Sequence, residues 1–339
     1  MFGELKPINM TNAFDIQRLL MTDSGDPPAI QADRFTLLHD AQSKYGLQPD
    51  TNLLITQSGE YHLAFITLQM VYYHVAQGQI DNEAWMLSFC AACNGGMLFS
   101  PVVKGRELHF DMGGMYNAML LLRDTDTGSY WNHITGECVH GTLVGERLRS
   151  LAATRHMRLS DALAQMPNAR LVYAQDYNAL PTEEHADIER WDGFRSAPEH
   201  PYIEHFAGTM GQEDTRLPRL DMGLGVWTAK TQRYYSMSHL YMRDNVLIDT
   251  FDGRKLLVYI DPASGNPSAF FTTAANAERR GDDLILDNGD RLRGSTLQDR
   301  SGMSLKPEQP TQLFMRWYGF AFIFPGCEIY GRRDSRPTR

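Results

Sequence analysis

The sequence predicts an α+β fold, mainly antiparallel β, built as two pseudo-repeated lobes behind a helical N-terminal segment. From about residue 53, short aliphatic and aromatic runs alternate with Gly, Asn and Asp, the texture of strands joined by tight turns. That texture then recurs: an offset of 171 residues lays Leu53 on Leu224 and Phe99 on Phe270 without a gap. Helical periodicity is concentrated in the first fifty residues and in a few short later stretches.

Residues 1–50 form the helical segment. Asn12 is placed to cap a helix over residues 13–21, with Phe14, Ile16, Leu19 and Leu20 on one face. Pro27 and Pro28 interrupt it, and a second helical stretch over residues 32–45 stops before Gly46. Residues 51–177 form the first lobe, with strands expected at 52–56, 60–65, 84–89, 108–111 and 118–123 and a helix at 159–166. A helix expected over residues 63–73 ends at His74. Residues 178–222, rich in Pro, Glu and His, read as an irregular connection. The second lobe spans residues 223–330 and ends in a helix expected over 311–322, and residues 331–339 are a basic tail.

Composition excludes several classes of function. A formal charge of −9 over 339 residues argues against nucleic-acid binding, which needs a basic face to neutralise phosphates. No run approaches the ~18 apolar residues that span a membrane. Four cysteines are too few for a disulfide framework in a chain this long, so a cytoplasmic protein with reduced thiols is expected. The start of the chain shows no secretory pattern of a charged and then an apolar segment.

The sharpest chemical signal is Cys90-Ala91-Ala92-Cys93, which follows an apolar strand and enters the turn Asn94-Gly95-Gly96. Two residues between thiols let both sulfurs reach one soft metal, or each other. The plain alternative is a pair of small buried side chains, since free cysteine packs as a hydrophobe. The repeat weighs against that alternative. In its register Cys90 and Cys93 become Asp261 and Ser264, and His74 becomes Asn245, so one lobe holds reactive groups and the other does not. His74 is therefore expected as third ligand or as base, with greater weight at the site than His133. Cys138, His140, Met112 and Met115 are further soft groups whose part in the site the sequence leaves open.

The order of these segments resembles the bacterial and archaeal domain of unknown function family numbered 3179 (DUF3179). The resemblance covers about residues 20–330. It begins at Gly25, Asp26, Pro27, Pro28, Ala29 and Ile30, and continues through His74 and the block Phe89-Cys90-Ala91-Ala92-Cys93-Asn94. It takes in Asn117, Asp124, Thr127-Gly128-Ser129-Tyr130-Trp131, Gly136-Glu137, Gly141, Gly145 and Leu148. In the second half it takes in Arg216 and Pro218, Gly223 to Val226, Tyr259 to Pro262, and the aromatic end from Trp317 to Tyr330. The sequence departs from the family where Val75-Ala76-Gln77 follows His74, where Ala91-Ala92 separates the thiols, and at Cys138. The resemblance marks positions and supplies no reaction.

These observations lead to one expectation and two rivals. The expectation is a metal- or thiol-dependent enzyme doing redox-type chemistry on a small molecule. Cys90, Cys93 and His74 serve as ligands and reactive groups, and Asn117, Trp131 and Glu137 support the bound cofactor. Two sulfurs and an imidazole favour copper, with zinc the other candidate. One rival is a metal-free dithiol/disulfide oxidoreductase with His74 as base, and the other is a non-enzymatic metal-binding or sensor protein. The partner expected is a small-molecule substrate, with neither nucleic acid nor membrane.

Overall fold

The computed structural model describes residues 14–21, 27–195, 197–261, 264–293 and 296–332. The chain divides into two compact units, with the boundary between Asp214 and Thr215. The first unit opens with β1 (Ile30–Ala32), β2 (Thr36–Leu37) and helix α1 (Leu38–Tyr45). There follow β3 (Asn52–Ser58), β4 (Tyr61–Ile66), α2 (Thr67–Tyr73), β5 (Val75–Ile80), β6 (Glu83–Cys90) and β7 (Gly95–Ser100). After the small hairpin β8 (Val102–Val103) and β9 (Arg106–Glu107) come β10 (Phe110–Tyr116), β11 (Met119–Asp124), β12 (Tyr130–Asn132) and β13 (Cys138–His140). The unit closes with β14 (Arg149–Ala153), β15 (Arg155–Arg158), α3 (Leu159–Gln165), β16 (Arg170–Val172) and α4 (Thr182–Phe194).

Three sheets and a pair of helices form its layers. Sheet β15-β3-β4-β16-β2 carries Leu53, Ile55, Ala64 and Ile66 on one face, packed on Leu38, Ala41, Leu159 and Ala162 of α1 and α3. Its other face, with Leu54, Leu63 and Phe65, meets Trp85, Leu87, Phe89 and Leu98 of sheet β1-β5-β6-β7-β14. Because side chains alternate along a strand, Met86, Ser88 and Cys90 point away from that core. They turn toward the sheet β10-β11-β12-β13: Ser88 Oγ donates to His133 O, and Leu120 N–H points at Cys90 Sγ.

The second unit contains β17 (Met222–Trp227), β18 (Gln232–Ser236), α5 (Met237–Tyr241), β19 (Val246–Phe251), β20 (Arg254–Ile260) and β21 (Pro267–Phe271). A meander follows: β22 (Ala277–Arg280), β23 (Asp283–Leu286), β24 (Arg291–Arg293), β25 (Thr296–Gln298) and β26 (Ser304–Leu305). It ends with β27 (Thr311–Arg316), α6 (Trp317–Ile323) and β28 (Glu328–Ile329).

The two units share one topology. Sheet order β27-β17-β18-β28 repeats β15-β3-β4-β16, with the same antiparallel outer pair and the same parallel closing strand. Val75 pairs with Ser88 and Met86 with Phe99; at the repeat offset Val246 pairs with Tyr259 and Leu257 with Phe270. Among the described residues the gapless overlay fails only in the first hairpin. There the turn is two residues in the first unit, where Ser58 pairs with Tyr61, and four in the second, where Trp227 pairs with Gln232. Leu53 therefore corresponds to Met222 rather than Leu224. The slip is even, so every side chain keeps its face.

Several expected elements change. Among the described residues of the first fifty, only a 3-10 turn at Ile16–Arg18 stands where the first helix was expected, and Asn12 lies outside the described residues. The second helix starts at Leu38, because Ile30–Ala32 instead pairs in parallel with β5. The stretch 63–73 is β4 followed by α2. The connection over 178–222 is not irregular throughout: it holds α4 and a 3-10 segment, Pro201–Thr209. Residues 311–322 begin as β27, since a full ladder with β17 outweighs helix propensities that differ by only tenths of a kcal/mol per residue. The basic tail beyond Arg332 lies outside the described residues. Among the described residues no helix is long and apolar enough to cross a membrane.

Candidate metal centre

Strand β6 delivers Cys90 at its last residue, and the turn to β7 returns Cys93 beneath it. Cys93 N–H lies 3.4 Å from Cys90 Sγ, so the turn closes on the sulfur it follows. From the facing sheet Leu120 N–H approaches the same sulfur at 3.3 Å. Burial alone pushes the Cys90 thiol up. The bonds from the Cys93 thiol and from the backbone N–H groups of Leu120, Cys93 and Ala92 together outweigh burial and bring it below its ordinary value. Donors aimed at a sulfur favour its thiolate, the form that binds metal or attacks.

The third group is His133. Its Nε2 lies 3.7 Å from Cys93 Sγ, and the ligand atoms of Cys90, Cys93 and His133 all fall within 4.8 Å of one another. Among the described residues this is where three His, Cys, Asp or Glu side chains converge as a metal would require. The loop bearing His133 is fixed on both sides. Asn132 Oδ1 accepts from the N–H groups of Ile134 and Thr135, each at 2.9 Å, and Ser88 Oγ donates to His133 O at 2.7 Å. Burial first, and then the charge of His74, push His133 down to about 3. The ring is therefore neutral across the physiological range and available as a ligand. His133 Nδ1 is buried without a hydrogen-bond partner.

His74 is not in the converging group. It sits at the C-terminal end of α2 with φ 58, accepts Phe89 N–H at its carbonyl, and places Nδ1 3.3 Å from Phe89 O. Asn245 does the same backbone work in the second unit, with φ 63 and its carbonyl accepting Ile260 N–H. The position demands a residue tolerant of left-handed backbone, and this accounts for His74 structurally. It remains close enough for its charge to reach His133.

The three supporting residues expected from the sequence are placed on the β10–β13 sheet and its turns. Trp131 Nε1 donates to Asp124 Oδ2 at 2.8 Å, and Glu137 pairs with Arg147 at 3.5 Å. Asn117 Oδ1 accepts from Arg18 and from Gly211 N–H. Each of these contacts is made within the first unit, to partners other than the thiols. Cys138 donates to His140 O and is pushed up to about 12 by burial, so it stays a thiol outside the group. Met112 and Met115 lie either side of a bulge in β10.

Sequence reasoning gave His133 less weight than His74, and did not single out Ser88 or the N–H of Leu120. One signal was available: Asn132 followed by Ile134-Thr135-Gly136 has the composition of an Asx turn that fixes its neighbour. The thiols are 2% and 0% exposed and His133 is 1% exposed, so the site is sealed. No curated protein and no solved structure matches the chain. A family model does, over residues 25–324, and the chain belongs to the family described as protein of unknown function (DUF3179).

Proposed function

We propose that the protein is a copper-dependent oxidoreductase whose metal is held by Cys90, Cys93 and His133 and whose reducing partner is a small molecule. The observation that carries this reading is the convergence of two thiols and one neutral imidazole in a buried site. Soft sulfur with imidazole suits copper, and three donors suit its low-coordinate cuprous form, whereas a structural zinc site takes four. Held by Cys90, Cys93 and His133 in this sealed site, copper would supply one-electron chemistry between a small-molecule reductant and an acceptor across the protein edge. Free thiols at all four cysteines accord with a reducing, cytoplasmic setting.

Elemental analysis of protein purified without added metal tests the reading. Stoichiometric copper that disappears in Cys90→Ser, together with electron transfer from a small reductant, supports it. Zinc alone, or no metal, refutes it. The contact between the Cys93 thiol and Cys90 favours a second reading, a metal-free dithiol. There the two thiols become a disulfide and give two electrons and two protons to an acceptor. His133 is a poor base for that cycle at neutral pH, which ranks it second.

A further inference from the structure

The thiol turn ends on Asn94, fully buried and in left-handed backbone at φ 62. In the second unit the described residues that flank the corresponding turn repeat its bonds without thiols. Asp261 Oδ1 accepts Ser264 N–H at 3.3 Å where Cys90 Sγ meets Cys93 N–H, and Asp261 N–H bonds to Asn266 O as the ladder resumes. In Asn94's place stands Gly265, at φ 71. Glycine adopts this backbone without a Cβ penalty, and asparagine tolerates it at a small cost. Asparagine in a turn that glycine can close contributes something through its side chain.

That side chain is clamped. Arg195 caps the C-terminal end of α4 and is only 8% exposed. Its Nη1 donates to Asn94 Oδ1 and lies 3.3 Å from His156 Nδ1. Its Nε donates to Asp192 Oδ1 at 2.7 Å, so a neighbour on α4 aims the guanidinium before it reaches the turn. The carboxylate also spares the buried cation an uncompensated charge. On the other side of the thiol pair, Phe89 meets His156 edge to face. The clamp thus touches the residue before Cys90 and the residue after Cys93.

Building on the copper–thiolate reading above, we infer that Arg195 is a positioning residue of the centre. Through Asn94 it fixes the backbone at Cys93 and holds Cys93 Sγ against Cys90 and His133. The guanidinium is no ligand; its direct grip on the turn is the bond to the Asn94 amide oxygen.

The test uses the full chain and four variants: Asn94→Gly, which keeps the backbone and removes the amide, Arg195→Ala, Arg195→Lys, and Asn94→Gly combined with Arg195→Ala. Two quantities are measured: iodoacetamide alkylation of each cysteine in metal-free protein by mass spectrometry, and cuprous copper affinity by competition with bicinchoninate. Cys93 should alkylate roughly tenfold faster in Arg195→Ala and in Asn94→Gly, with no further gain in the double variant, because both remove one shared contact. Arg195→Lys should fall between, and copper affinity should drop by a similar factor. An unchanged Cys93 rate in Arg195→Ala, effects that multiply in the double variant, or equal acceleration at Cys138 would each overturn the inference. If the parent protein binds no copper, the copper reading fails while the alkylation rates still decide the clamp.

Discussion

The site is decided by single atoms, and its predictions follow from them. Cys90→Ser and Cys93→Ser each remove one soft ligand with little change in volume, so metal binding should vanish while the melting temperature stays close to the parent's. Cys327→Ser, in the other unit, should leave metal content unchanged; copper loss there would break the assignment. The geometry reverses the weight that the sequence gave to the histidines. His133→Ala should abolish copper binding. His74→Ala should retain copper and instead cost about 1 kcal/mol of stability, because alanine resists the left-handed backbone at φ 58; metal analysis beside thermal unfolding separates the two effects. Protons supply a further check on metal-free protein. His133 and His156 are each pushed down to about 3 by burial, the first also by His74 and the second also by Arg195. In the unfolded chain both titrate near 6.5. Between these values the unfolded state takes up protons that the folded state refuses, so stability is full above about 6.5 and falls as pH drops toward 3. Each ring contributes at most about 1.4 kcal/mol per pH unit. Urea midpoints at pH 7 and pH 5 should differ in that direction, and His156→Gln should flatten the difference.

Elements explain which parts of this fold the sequence could announce. Strands β3, β4, β6 and β11 were legible because turn residues bracket them and one or both faces are apolar. Helix α3 was legible over its full length, the expectation running one residue further. Strand β27 was not, since Thr311 to Arg316 has no strict alternation and only its ladder with β17 makes it extended. Helix α4 was hidden for a related reason: with Ile188 its one buried residue it shows no apolar stripe. The pairing of thiols with His133 could not be read from spacing, because it depends on how β10–β13 folds back over β6. The fit between those strands and their neighbours is close. Gly96 on β7 sits where a Cβ would come within 2.8 Å of Ser88 O and 3.0 Å of Thr154. Gly96→Ala should therefore push β6 and β7 apart and cost about 1–3 kcal/mol by overpacking. It should also lower copper affinity, because Ser88 ties β6 to the His133 loop. Unchanged unfolding and affinity in this variant would show that the strands accommodate the methyl group.

At the scale of the molecule, the repeat reaches further than the strand texture showed, and the chemistry enters where the two units differ. Both carry the same core of paired strands, and each inserts a sheet between its third hairpin strand and its closing β-α-β element. In both, the insert covers the same face: Ser88 and Cys90 meet β10–β13 in the first unit, and Leu257 and Tyr259 meet the β22–β26 meander in the second. The first insert brings His133 and the N–H of Leu120 to the thiol turn. The second, from Phe271 to Leu305, contains no histidine and no cysteine. The turn and the insert are thus separable contributions, and a graft can tell them apart. Asp261→Cys with Ser264→Cys should place two new thiols in a turn whose hydrogen bonds already match those of Cys90 and Cys93. The new pair should form a disulfide readily under mild oxidant, since the bond from Ser264 N–H to Asp261 Oδ1 already brings the two positions together. It should hold cuprous copper at least about tenfold more weakly than the native site, because the imidazole and the Leu120 N–H are missing, each a contact of roughly 1 kcal/mol or more. Copper titration of the graft in a Cys90→Ser, Cys93→Ser background measures this directly. Native-strength binding there would mean that the thiol turn alone makes the site and that the insert with His133 is a bystander.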